Sequence, residues 1–155
     1  MRYWLDTEFI EDGKTVELMS IGIVAEDGRE FYAQTECDTS KANEWVQANV
    51  LPHLQPTFQP RSDVRLEVLD FCDRERYGKP EFWGYYADYD WVALCQLFGT
   101  MMDLPKGWPM FCMDIKQLCV EKGDPRLPEQ GKGEHHALAD ARWNKQAWNF
   151  LQALP

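Results

Sequence analysis

Three short segments of the chain carry acidic and imidazole side chains at spacings that could do chemistry. They are Leu5-Asp6-Thr7-Glu8-Phe9, Tyr86-Ala87-Asp88-Tyr89-Asp90 and His135-His136-Ala137-Leu138-Ala139-Asp140. On a strand, side chains two apart leave the same face, so Asp6 and Glu8 would set two carboxylates side by side. Such a pair repels itself unless a cation lies between its members. Hard oxygen donors of this kind suit Mg2+ or Mn2+. A histidine, ordinarily titrating near neutrality, can take a proton from water. Carboxylates that hold divalent ions beside a base that activates water make a set suited to hydrolysis.

Each segment also has a bland reading. Asp6 and Glu8 could be exposed charges on an edge strand, but Leu5 and Phe9 alternate with them and direct the carboxylates away from the packed side. Asp88 and Asp90 stand where a helix begins and could serve as caps or dipole partners; of the two, Asp90 is the expected partner of the third segment. His135 and Asp140, five apart, would point about 140° from each other on an ideal helix. They converge only if His135 precedes the helix and Asp140 lies in its first turns, and Gly131 and Gly133 allow such a loop. His136 competes for the role.

The elements that must position these residues follow from periodicity and turn chemistry. Arg2–Asp6, Val16–Ala25 and Glu30–Thr35 read as strands joined by turns at Asp12-Gly13 and Asp27-Gly28, giving an antiparallel meander. Helices are expected over Ala42–Leu51 and over Asp63–Tyr77, the latter with Ser62 as N-cap. A strand over Glu81–Tyr86 leads to a helix over Tyr89–Phe98 that ends at Gly99. A short strand over Phe111–Asp114 precedes a helix to Lys122, a Pro/Gly-rich loop over 123–133 and a final helix over Ala137–Leu154. Three antiparallel strands followed by strand–helix alternation predict an α/β fold, a ribonuclease-H-like mixed five-stranded sheet flanked by helices.

Composition sets the outer limits. With 155 residues, 45% hydrophobic and 14% aromatic, the chain can bury a proper core and reads as one domain over residues 1–155. No apolar run approaches the roughly 18 residues of a membrane span, and no secretory h-region follows Arg2-Tyr3-Trp4-Leu5, so a cytoplasmic protein is expected. Five cysteines without a CxxC pair read as reduced thiols. The net charge of −10 argues against coating a duplex, which needs many Lys and Arg contacts to phosphate. A protein gripping only the end of a strand needs few, and divalent ions add positive charge locally. Trp45, Trp83, Trp143 and Trp148 read as core or subunit-interface residues.

Together the three segments resemble the motifs of the DEDDh group of 3′–5′ exonucleases. Asp6 and Glu8 match its Asp-x-Glu, Asp90 its central aspartate, and His135 with Asp140 its His-x-Ala-x-x-Asp; His136 falls on the variable position. A closer likeness extends over nearly the whole chain. Asp6-Thr7-Glu8-Phe9-Ile10-Glu11-Asp12-Gly13, Ser20-Ile21-Gly22-Ile23-Val24, Val92-Ala93-Leu94-Cys95-Gln96-Leu97 and Ala137-Leu138-Ala139-Asp140-Ala141-Arg142 resemble the bacterial polyadenylate-specific exoribonucleases known as RNase AS. The segment Trp83-Gly84-Tyr85-Tyr86 departs from the His-Asn that many relatives carry there.

The resemblance implies a homodimer with two Mg2+ or Mn2+ ions per site that removes adenylate from single-stranded RNA 3′ ends as nucleoside 5′-monophosphates. Asp6 would bridge the ions, Glu8 and Asp140 complete the first, Asp90 hold the second, and His135 act as base. Phe9, directly after the metal pair, is the candidate to stack on a base. Glu17, at the start of the second strand, is the candidate to accept from adenine N6. A DNA 3′–5′ exonuclease, a catalytically silent module that holds RNA ends and an acidic cation-binding protein are the competing readings.

Overall fold

β1 (Arg2–Glu11) sends Tyr3 and Leu5 to one covered face and Trp4 to the other, and Asp12-Gly13 turns the chain into β2 (Val16–Ala25). Gly13 takes a φ of 83°, and Asp12 Oδ1 accepts from the Lys14 and Thr15 amides, which closes the turn. β3 (Glu30–Gln34) completes the antiparallel meander. A computed structural model describes residues 1–131 and 133–155; Lys132, inside the expected 123–133 loop, lies outside the described residues.

The remaining elements are α1 (Glu44–Asn49), α2 (Arg61–Phe71), α3 (Arg74–Tyr77), β4 (Glu81–Gly84), α4 (Asp88–Phe98), β5 (Met113–Asp114), α5 (Ile115–Glu121) and α6 (Ala137–Gln152). The sheet order is β3-β2-β1-β4-β5, with β4 and β5 parallel to β1. The mixed five-stranded sheet flanked by helices is the α/β arrangement expected. One face packs Tyr3, Leu5, Ile21 and Ile23 against α2 and α4 through Val64, Val68, Ala93 and Leu94. The opposite face packs Trp4 and Trp83 against α5 and α6 through Ile115, Cys119, Ala147 and Leu151. Each fully buried large apolar side chain stabilises this sandwich by about 1.5–3 kcal/mol.

Several boundaries differ from expectation. The helix expected over 63–77 is two helices: it starts at Arg61 behind Pro60 rather than with Ser62 as cap, and it ends at Phe71. Asp73 then caps α3, accepting from the Glu75 and Arg76 amides. A capping side chain in mid-run outweighed the continuing apolar periodicity. β5 has two residues rather than four, and β1 runs five residues further than expected, with a bulge between Glu8 and Phe9. The five cysteines are free thiols, with Cys72, Cys95 and Cys119 buried.

At Gly22 the backbones of β2 and α6 approach closely. A Cβ on Gly22 would stand 2.4 Å from the carbonyl carbon and oxygen of Ala137 and 2.4 Å from the Leu138 nitrogen, all backbone atoms that cannot rotate away. Gly22→Ala should therefore push the start of α6 off the sheet and cost about 1–3 kcal/mol or more. Thermal unfolding checks this, and activity should fall along with stability because Asp140 sits one turn into the displaced helix.

Candidate metal and active site

The sheet topology opens a gap where the chemistry sits. β1 pairs with β4 only through Arg2, Tyr3 and Trp4, so further along β1 the backbone has no strand partner on that side. Side chains fill the vacancy. The Asn144 Nδ2 of α6 donates to the Leu5 carbonyl at 2.8 Å, fastening α6 to β1. The Thr7 amide and hydroxyl both donate to Asp90 Oδ1, at 2.8 and 2.6 Å, which locks Asp90 from α4 against β1. Asp114 sets the start of α4 by accepting from the Ala87 amide at 2.8 Å through one oxygen, while the other caps α5 through the Gln117 amide.

The third segment arrives as the spacing requires. His135 precedes α6 and holds a left-handed φ of 68°, which turns its amide toward Asp140 Oδ2 at 2.9 Å. The other Asp140 oxygen accepts from Gln130 Nε2. Ligand atoms of Glu8, His135 and Asp140 lie within 4.8 Å of one another. Asp6, Tyr85, Gln130, Glu134, His135, Asp140, Trp143 and Asn144 line a cleft of about 230 Å³.

Electrostatics ties the four carboxylates into one cluster. Burial, then repulsion by Asp90, Asp140 and Glu8, holds the Asp6 carboxyl well above the usual range. Burial, then Asp140 and Asp90, pushes Glu8 up to about 8. Burial raises Asp90 to about 6 against the opposing pull of the two Thr7 hydrogen bonds, with Asp114 and Asp140 adding repulsion. Asp140 is raised by burial, opposed by the hydrogen bonds from His135 and Gln130. Four carboxyls that resist joint ionisation, all oxygen donors, fit hard divalent cations, which would relieve the repulsion.

A pH dependence follows. A carboxyl that titrates higher in the folded chain keeps a proton that the unfolded chain has lost, so stability falls as pH rises between the two values. Free carboxyls ionise at about 4, and Glu8 at about 8 when folded. The metal-free thermal midpoint should thus fall as pH rises from about 5 to about 8, and Mn2+ should raise it more at the upper end. Carboxylates held low, such as Asp27 beside Arg29, act only below this window. A midpoint that rises over that range in EDTA contradicts the cluster.

The structure brings Asp6, Glu8, Asp90, His135 and Asp140 together. His136 turns away and stacks on Tyr32, centroids 4.5 Å apart and planes at 19°. Phe9 stacks on Tyr89 at 5.4 Å and 9°. Glu17 stays outside the cluster: its carboxylate accepts from the Asp38 amide at 3.4 Å and lies 4.0 Å from the Lys41 ammonium. Trp45 is not a core residue: it is 54% exposed on α1, its ring edge-on to His135 at 4.9 Å.

Sequence reasoning passed over Thr7, Asp114, Gln130, Asn144 and Tyr85. Thr7 had a usable signal, since it points opposite to Asp6 and Glu8, toward the face that supplies Asp90. Gln130 sits in an aperiodic loop and carried none. A larger cavity of about 600 Å³ at the β4–β5 edge, lined by Pro80, Phe82, Met110, Phe111 and Met113 among others, has only Lys79 and Glu81 as charged groups. Size alone would select it; chemistry selects the smaller cleft.

Comparison with known proteins identifies the family. A family model described as "3'-5' exoribonuclease Rv2179c-like domain" matches residues 1–152. Two curated relatives from Mycobacterium tuberculosis are "3'-5' exoribonuclease MT2234.1" of strain CDC 1551 / Oshkosh and "3'-5' exoribonuclease Rv2179c" of strain ATCC 25618 / H37Rv. Each is 47% identical over 147 residues, covering 92% of this chain and 88% of its own. With the family model spanning nearly its full length, the chain belongs to the 3'-5' exoribonuclease Rv2179c-like family.

Proposed function

We propose that the 1–155 unit is a DEDDh-type 3′–5′ exoribonuclease domain, close to the RNase AS group, that releases nucleoside 5′-monophosphates from single-stranded RNA 3′ ends. The observation that carries this reading is the clustering of Asp6, Glu8, Asp90, Asp140 and His135, from three distant segments, at a cleft lined by Asp6, His135 and Asp140. Asp6, Glu8, Asp90 and Asp140 would hold two Mg2+ or Mn2+ ions. Such ions, when bound, supply Lewis acidity toward water and toward the phosphoryl oxygens.

The chain's own residues account for the rest. His135 takes the proton of the attacking water through its ring nitrogen, and its left-handed backbone keeps the ring beside Glu8 and Asp140. Thr7 fixes one Asp90 oxygen and leaves the other for a ligand. Gln130 and the His135 amide orient Asp140. Phe9, on its Tyr89 support, is the stacking residue for the terminal base. A silent binding module fits the cleft less well, since a module that only binds has no use for a base beside four carboxylates; a DNA exonuclease would share this chemistry, and the exoribonuclease relatives favour RNA over it.

The same reading gives a cytoplasmic homodimer and a preference for adenylate. Poly(A) should be degraded well ahead of poly(U) and poly(C), because a site built on a hydrogen bond from adenine N6 rejects bases that cannot donate there. Glu17, whose carboxylate faces the Asp38 amide and Lys41, is the candidate reader of N6. Glu17→Ala tests that assignment: a narrowed gap supports it, and an unchanged gap moves the reader elsewhere. Comparable rates on all homopolymers by the wild-type protein remove the preference itself.

A further inference from the structure

One exposed aromatic beside the cleft has no packing role that explains it. Tyr86 is 62% exposed and holds a φ of 54°, in the left-handed region where a Cβ is disfavoured. The bend itself is fixed by its neighbours. β4 ends at Gly84, where a Cβ would meet the Ala87 Cβ at 2.8 Å, and Asp114 grips the Ala87 amide. Glycine or asparagine would satisfy that bend at less cost. A large ring kept in a strained, solvent-facing position points to something that the ring contacts.

Its surroundings say what. Tyr86 meets Tyr85 edge-on at 4.6 Å and 66°, and Tyr85 meets Trp143 at 5.0 Å and 83°. Tyr85 and Trp143 both line the cleft with Asp6, His135 and Asp140. The three rings therefore form a row running from the cleft to its rim, with Tyr86 outermost. Aromatic faces on which bases stack are the elements with which proteins hold single-stranded nucleic acid.

We propose that Tyr86 is a base-stacking residue of the RNA path, receiving on its open face a base upstream of the nucleotide held in the cleft. The inference rests on the exoribonuclease reading above and names a specificity contact that this reading does not require. Stacking on this ring acts on strand binding and not on the chemical step, so its loss should appear in KM and leave kcat in place.

The test compares Tyr86→Gly, Tyr86→Asn and Tyr86→Phe with wild type, using 5′-fluorescent oligo(A). KM is measured with Mn2+, and affinity by anisotropy with Ca2+ in its place. Gly and Asn variants should keep a thermal midpoint at or above wild type, since they release strain, while KM and Kd rise about tenfold. Tyr86→Phe should restore both. KM and Kd within twofold of wild type in the Gly and Asn variants overturn the proposal. So does a midpoint several degrees lower, which would make the ring a packing residue, or a loss confined to kcat. A wild-type protein that binds oligo(A) but does not shorten it refutes the exoribonuclease reading, while the anisotropy shift still decides the role of Tyr86.

Discussion

Asp6→Asn is expected to abolish RNA hydrolysis while making the metal-free protein more stable. Asp6 is repelled by Asp90, Asp140 and Glu8 together, and burial adds to the cost of its charge. Above about pH 5 the unfolded chain gains by ionising this carboxyl and the folded chain cannot follow, which favours unfolding. Asparagine cannot ionise and removes that advantage. The same change deletes the oxygen charge at the centre of the proposed cation site. Several kcal/mol of transition-state stabilisation are at stake, a rate loss of about 10³-fold or more. Thermal melting in EDTA at alkaline pH and a labelled-RNA assay with Mn2+ read the two effects separately. Loss of activity with loss of stability would mark Asp6 as an ordinary structural residue, and retained activity would remove it from the site.

The second large effect is expected at His135. Deleting a general base costs about 10²–10⁴-fold in rate, and His135 is the imidazole that shares the cleft with Asp6 and Asp140. His136, stacked on Tyr32 and held below the usual histidine range chiefly by burial, should tolerate alanine with little loss. Position 135 needs a backbone control because its φ of 68° disfavours alanine. Asparagine accepts that conformation, so His135→Asn should lose the base and keep the fold. Mn2+ binding by calorimetry should persist in both 135 variants. Equal losses at 135 and 136 would overturn the register that assigns the base.

Much of this site was legible in the sequence because its parts depend on local rules. Period-two alternation set Asp6 and Glu8 on one face of β1, and Asp12-Gly13 and Asp27-Gly28 set the meander that supports them. A five-residue step from His135 to Asp140 forced the histidine out of the helix. What escaped depends on distant contacts. Nothing local tells that Gly22 must be bare, since the Ala137 backbone that abuts it is more than a hundred residues away. The short pairing of β1 with β4, which frees Leu5 and Thr7 for Asn144 and Asp90, is a property of the sheet and not of any segment. Trp45, a core or interface candidate by type, is half exposed because α1 buries Val46. Asp73 shows the opposite case: the signal was local, a capping side chain that splits a run whose apolar periodicity reads as one helix.

Removal of nucleotides from RNA 3′ ends with the help of divalent cations, the reaction proposed for this cleft, can be watched on RNA and DNA of one sequence, each labelled at the 5′ end and incubated with the wild-type protein and Mg2+, Mn2+ or EDTA. The expected result is a ladder of RNA products shortening one nucleotide at a time, 5′-monophosphates as the released species, DNA left nearly intact, and no reaction in EDTA. Shortening that persists in EDTA, or cleavage that begins inside the strand, would contradict it.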